Sequence, residues 1–146
     1  MTKTSRLHYY LTSLGTLPFL GCALLLCLSI NKLPYLGEVI TIIHVYGLVI
    51  VSFMAGIYWG QELVKPNKAG PSLLIPSNAI ALSVWLAYLS ASLPVFTLSL
   101  IIIFLLLLWI DFHLYTTNTI SRLYFKVRVV ATSLVVFSLI VVFFCL

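Results

Sequence analysis

The chain has 146 residues, of which 62% are hydrophobic and 8% charged, with a formal net charge of +5. A soluble domain carries about 25% charged residues, so eight Lys and Arg with three Asp and Glu cannot cover a water-facing surface, and a soluble globule is excluded. The bases flank apolar runs, where they set membrane orientation, and no nucleic-acid partner is expected.

Runs such as LIIIFLLLLWI (100–110) lack the period-two alternation of a barrel strand. An unbroken helix satisfies its own backbone in lipid, and a span needs about 20 apolar residues. The expected fold is therefore all-α, one transmembrane domain over 1–146 made of a bundle of five helices. Span one, 11–30, follows Lys3 and Arg6. It is read as a retained span, since no small-x-small cleavage site follows it. NKLPYLGE (31–38) leads to span two, 39–62, which ends SFMAGIYWGQEL. There Ser52, Gly56 and Gly60 share a face suited to close helix packing. His44, Leu48, Val51, Ala55, Trp59 and Glu62 share an adjacent face at 3–4 spacing, and His44 is expected to bond Glu38 or a backbone group.

VKPNKAGP (64–71) is a turn. Span three, 72–92, holds Pro76, Ser77, Asn78 and Ser83 and is expected inside the bundle, because polar side chains in lipid face other helices. Pro76 either starts that helix or kinks its first turns. Span four, 94–114, follows so closely that the two form a helical hairpin, and Pro94 suits a first helical position. Span four is greasy all round and is expected to face lipid. Tyr115, Tyr124, Phe125, Arg122 and Lys126 give the next segment the make-up of a headgroup-layer stretch. Span five is 127–146. Cys22, Cys27 and Cys145 lie in apolar segments without a CxxC pair and read as buried, inert thiols.

With five spans, Lys3, Arg6, Lys65, Lys68, Arg122, Lys126 and Arg128 fall on one side and Lys32 on the other. The positive-inside rule puts the amino terminus in the cytoplasm and the carboxyl terminus outside. Glu62 and Asp111 then lie near helix C-termini and Arg128 near an N-terminus. Each charge sits at the dipole end that disfavours it, at about 0.3–1 kcal/mol apiece. Bringing them together offsets both, so Asp111 or Glu62 is expected to pair with Arg128. Asn78 and Trp59 lie at the same inner level and complete a candidate polar cluster of Glu62, Asp111, Arg128, Asn78 and Trp59. His8, His44 and His113 occur singly, so no metal set is expected. No phosphate loop, haem motif or Ser-His-Asp order is present, and no cofactor is expected.

LGTLPFLG, YGLVIVSFMAGIYWGQEL, SNAIALSVWLAYL, LLWID and YFKVRVVATSLV occur in an order and spacing that resembles the domain of unknown function 3429 family, uncharacterised small polytopic membrane proteins that include transmembrane protein 69-like members. The resemblance runs from about Leu11 to the end. The family usually has a second glycine where Ala55 stands and often a histidine at Tyr58. Asp111 and Arg128 fall where it has an acid after span four and an arginine opening span five. The resemblance implies architecture and location rather than an activity. The short stretch before span one favours a bacterial inner membrane, or the mitochondrial inner membrane if the chain is eukaryotic. The first functional expectation is a non-enzymatic membrane protein in the lipid bilayer, packing as a homo-oligomer or within a larger membrane complex. The second is a small transporter or proton-linked carrier using Glu62, Asp111 and Arg128. The third is an interfacial lipid enzyme using Asp111, His113 and Glu62.

Overall fold

A computed structural model describes residues 10–64 and 72–146. Lys3, Arg6, Lys65 and Lys68 lie outside the described residues, as does the turn expected over 64–71 beyond its first residue. After helical residues 10–14, the elements are α1 (Leu17–Cys27), β1 (Lys32–Leu33), β2 (Gly37–Glu38), α2 (Val39–Val64), α3 (Leu74–Ser90), α4 (Leu93–Thr116) and α5 (Arg122–Cys145). The fold is all-α apart from a small antiparallel hairpin between α1 and α2, with Lys32 opposite Glu38. Tyr35 and Gly37 in its turn have φ of 69° and 89°; a glycine meets that left-handed geometry without a Cβ penalty.

Local chemistry sets the helix ends. Pro94 sits in the first turn of α4, where its missing N–H leaves no intrahelical bond unmade. Ser121 caps α5, its hydroxyl accepting from the Tyr124 N–H at 3.2 Å. Pro76 lies in the first turn of α3, so it starts that helix rather than kinking it. α3 has 17 residues. Among the described residues, four helical stretches are long and apolar enough to cross a membrane: Tyr10–Cys27, Val39–Leu63, Leu93–Thr116 and Arg122–Cys145. No more than 39% of the most apolar window in any of these is buried. Trp85, Trp109, Phe112 and Phe144 also point outward. So continuous an apolar exterior suits lipid and not water.

The helices close into a ring. α1 packs on α2, α2 on α3, α3 on α4, α4 on α5 and α5 on α1, while α2 also crosses to α4. Inward-facing residues recur at alternating steps of three and four. On α2 they are Ile40, His44, Gly47, Val51, Met54 and Tyr58; on α4, Thr97, Leu100, Phe104, Leu107, Asp111 and Leu114. This is a period of 3.5, the repeat that keeps a seam facing its partner along a supercoil. α2 and α4 run parallel, as two side-chain contacts show. His44 meets Thr97 near the start of both helices, and Tyr58 meets Asp111 near the end of both. Each contact joins residues 53 apart in the chain, so the register holds over two heptads. Between them, a Cβ at Gly47 would lie 2.8 Å from Leu100 Cδ1, and only glycine lets the backbone come that close.

Two expectations about the spans are corrected. α4, expected to face lipid, does so on one side only: it buries a full stripe from Phe96 to Leu114 and touches α2, α3 and α5. Its apolar circumference hid which stripe points inward. α3, expected inside, buries Ser77, Ile80 and Val84 and leaves Pro76, Asn78 and Ser83 exposed. Its polar side chains do not need a neighbouring helix. Ser77 and Asn78 donate to the Leu74 carbonyl at 2.9 and 3.2 Å, and Ser83 to the Ile80 carbonyl at 2.9 Å.

Candidate functional site

The polar groups inside the ring gather at two levels. At the level where α2 and α4 end, Asp111 is fully buried and Arg128 is 7% exposed. Arg128 Nε donates to Asp111 Oδ2 at 2.7 Å. The Tyr58 hydroxyl donates to Asp111 Oδ1 at 2.9 Å and lies 3.0 Å from the Leu107 carbonyl oxygen, so its single proton is shared between them. One carboxylate therefore ties α2, α4 and α5 together, and both its oxygens are occupied by side chains from other helices. Because Tyr58 takes Oδ1, the arginine contact is not the two-toothed fork such pairs often adopt. Arg128 Nη2 and Thr132 Oγ1, one turn further along α5, are buried without a hydrogen-bond partner, as is Gln61 Oε1.

The pair lies well inside the helix ends. Asp111 is five residues before the end of α4 and Arg128 six after the start of α5. At a rise of about 1.5 Å per residue this is about 8–9 Å in. The acid and base expected to answer each other's unfavourable dipole ends do meet, with Asp111 rather than Glu62 as the acid.

The other expected members stand apart. Glu62 is half-exposed and has no hydrogen bond or ion pair among the described residues. Asn78 bonds only its own helix. Trp59 is 39% exposed and points away from the ring. The physical reason is the period. The expected series takes two successive steps of four, from Val51 to Ala55 to Trp59, and drifts off the face, whereas whole turns of about 3.6 residues from His44 fall at Tyr58. Tyr58 was the residue missed, and continuing the seven-residue repeat from His44 and Val51 finds it. Ser52 is half-buried, while Gly56 and Gly60 are exposed. A Cβ at either glycine meets nothing within 4 Å, so within this chain they are not a packing contact. That role falls to Gly47.

At the opposite level His44 is buried, its Nε2 2.8 Å from Thr97 Oγ1. The Thr97 hydroxyl donates to the Leu93 carbonyl at 2.9 Å, so its oxygen accepts from the imidazole, and the network assigns the ring proton to Nε2. The Phe96 ring stands edge-on to the imidazole, with centroids 4.9 Å apart. The partner is Thr97 rather than Glu38 or a backbone group. The cysteines also depart from expectation. Cys22 is buried, but Cys27 and Cys145 are exposed and face each other with sulfurs 3.9 Å apart. Among the described residues no group of three His, Cys, Asp or Glu could hold a metal ion.

A family model described as "Protein of unknown function (DUF3429)" matches residues 4–144. No curated protein and no solved structure matches the chain.

Proposed function

The chain belongs to the DUF3429 family, and we propose that it is a non-enzymatic membrane protein that works by packing against itself or a larger membrane complex. The observation that carries this reading is the occupancy of Asp111. A group that binds a proton, an ion or a headgroup must be reachable and must have free valence. Asp111 is not reachable, being fully buried, and each of its oxygens already accepts a donor, Tyr58 on one and Arg128 on the other. The same closure disfavours a carrier or an interfacial lipid enzyme whose chemistry runs through Asp111. Thus the buried charges act as a clamp on the bundle, and the open side of α2, with Gly56 and Gly60 and no neighbour within 4 Å of a Cβ, is the surface left for a partner.

The proposed topology has five crossings in a bacterial inner membrane, with the amino terminus cytoplasmic. It is supported by the parallel run of α2 and α4, because the chain must return the length of the bundle between them and α3 is the segment that does so. Seventeen residues reach about 26 Å, near the lower limit for a crossing. The Asp111 level is then cytoplasmic and the His44 level external.

The test is the mass of the protein purified in mild detergent, combined with crosslinking in native membranes. The expected result is an oligomer or a reproducible partner lost in Gly56→Leu/Gly60→Leu, a variant expected to leave the bundle folded because, among the described residues, nothing lies within 4 Å of a Cβ at either position. A strictly monomeric protein with no reproducible partner refutes the proposal.

A further inference from the structure

Cys27 is the last residue of α1 and Cys145 the last of α5, 118 positions apart in the chain, and their sulfurs stand 3.9 Å apart. Both are exposed, whereas Cys22 is buried. α1 and α5 are the first and last helices of the ring, and the contact between them is the seam that closes it. The cysteines lie at the end of the bundle where His44 meets Thr97, next to the polar stretch Asn31–Lys32 and the small hairpin. That end, on the topology proposed above, faces the oxidising side of the membrane, where protein disulfides persist.

We propose that Cys27 and Cys145 form an intramolecular disulfide that staples α1 to α5 and locks the ring. The sulfurs must close by about 2 Å to reach bonding distance. Both residues are terminal on their helices, where the backbone yields most readily. The oxidant is a disulfide-bearing thiol donor, protein or small molecule. The Cys27 thiolate attacks one donor sulfur, forms a mixed disulfide and expels the first donor thiolate. The Cys145 thiolate then attacks the Cys27 sulfur and expels the second. Two cysteine S–H bonds and one donor S–S bond are exchanged for one cysteine S–S bond and two donor thiols. The two protons and two electrons lost by the cysteines end on the donor. Cys22, buried in the core with Phe19 and Ala23, takes no part.

This inference rests on the proposed orientation, and the experiment separates the two. Native membranes are quenched in acid, free thiols are blocked with N-ethylmaleimide in denaturing detergent, and the protein is then reduced. Newly freed thiols are tagged with a polyethylene-glycol maleimide. Of the three cysteines, two should be tagged in the wild type and in Cys22→Ser, and none in Cys27→Ser or in Cys145→Ser. An untagged wild type overturns the disulfide, and so does tagging that survives Cys27→Ser. Sidedness is read separately, on reduced protein labelled with a membrane-impermeant maleimide. Labelling of intact spheroplasts supports the external placement. Labelling of inverted vesicles alone overturns the orientation, while the tag count still decides the pairing.

Discussion

Removing one member of the Asp111–Arg128 pair should cost much more than removing both, and the two single losses should differ. In Asp111→Leu the Arg128 guanidinium keeps its place at 7% exposure without its carboxylate. It cannot shed its proton, and stranding a buried charge costs about 3–5 kcal/mol. The long side chain lies about 9 Å from the helix start and can partly snorkel toward the headgroups, which places the cost near the lower bound. In Arg128→Met the stranded group is Asp111, which still accepts from Tyr58, so the loss is smaller, about 1–3 kcal/mol. Asp111→Leu/Arg128→Met strands neither charge and should lie within about 1–2 kcal/mol of wild type. At roughly 2–4 °C per kcal/mol for a chain of this size, Asp111→Leu should melt about 10 °C below wild type in mild detergent. The double variant should recover most of that. A double variant less stable than Asp111→Leu, or an Asp111→Leu protein melting with the wild type, refutes the clamp.

Tyr58→Phe removes the donor on Asp111 Oδ1 while preserving the ring, and should cost about 1.5–3 kcal/mol in the same melt. Thr97→Val keeps the shape of α4 but leaves the His44 Nε2 proton without an acceptor, at about 1–3 kcal/mol. His44→Phe/Thr97→Val should restore most of that loss, since both polar partners are then gone. Gly47→Ala puts a Cβ 2.8 Å from a methyl of fully buried Leu100 and should cost about 1–3 kcal/mol, with Leu100→Val relieving it. Gly56→Ala, whose Cβ meets nothing within 4 Å among the described residues, should leave the melt of the isolated protein within about 1 kcal/mol.

The membrane class and the union of Asp111 with Arg128 were legible because each follows from a rule with few exceptions. Eleven charges cannot solubilise such a chain, and an acid and a base inside lipid seek each other; the dipole argument adds little, since both lie more than a turn inside their helices. Which helix faces lipid was not legible. α4 is apolar on every side, so the stripe through Leu100, Phe104 and Leu107 that packs inward looks no different from the stripe through Ile102 and Leu106 that does not. In water polarity marks the outside of a helix; in lipid that mark is absent, and packing shape decides. α3 misled for a related reason. Its serines and asparagine looked like interhelical glue, but each reaches a carbonyl on its own preceding turn and makes the bond without a neighbour. The cysteine pair was out of reach because positions 27 and 145 become neighbours only when the ring closes.

The two polar contacts on the α2–α4 seam share more than their register. Each joins a side chain with one proton to offer, Tyr58 or His44, to an acceptor on α4, and they stand two heptads apart with Gly47, Val51 and Met54 between them on α2. Sliding α2 by one turn against α4 would break both contacts and drive the Gly47 backbone away from Leu100. An apolar seam alone would resist such a slip weakly, since one set of aliphatic knobs fits another's holes almost as well. The polar rungs make the register discrete. With the register fixed, the face of α2 opposite the seam is fixed too, so Gly56 and Gly60 are presented outward at a defined height and angle. On that argument the buried polarity and the bare glycines are one feature: charges and hydroxyls inside hold still the surface proposed to meet a partner outside.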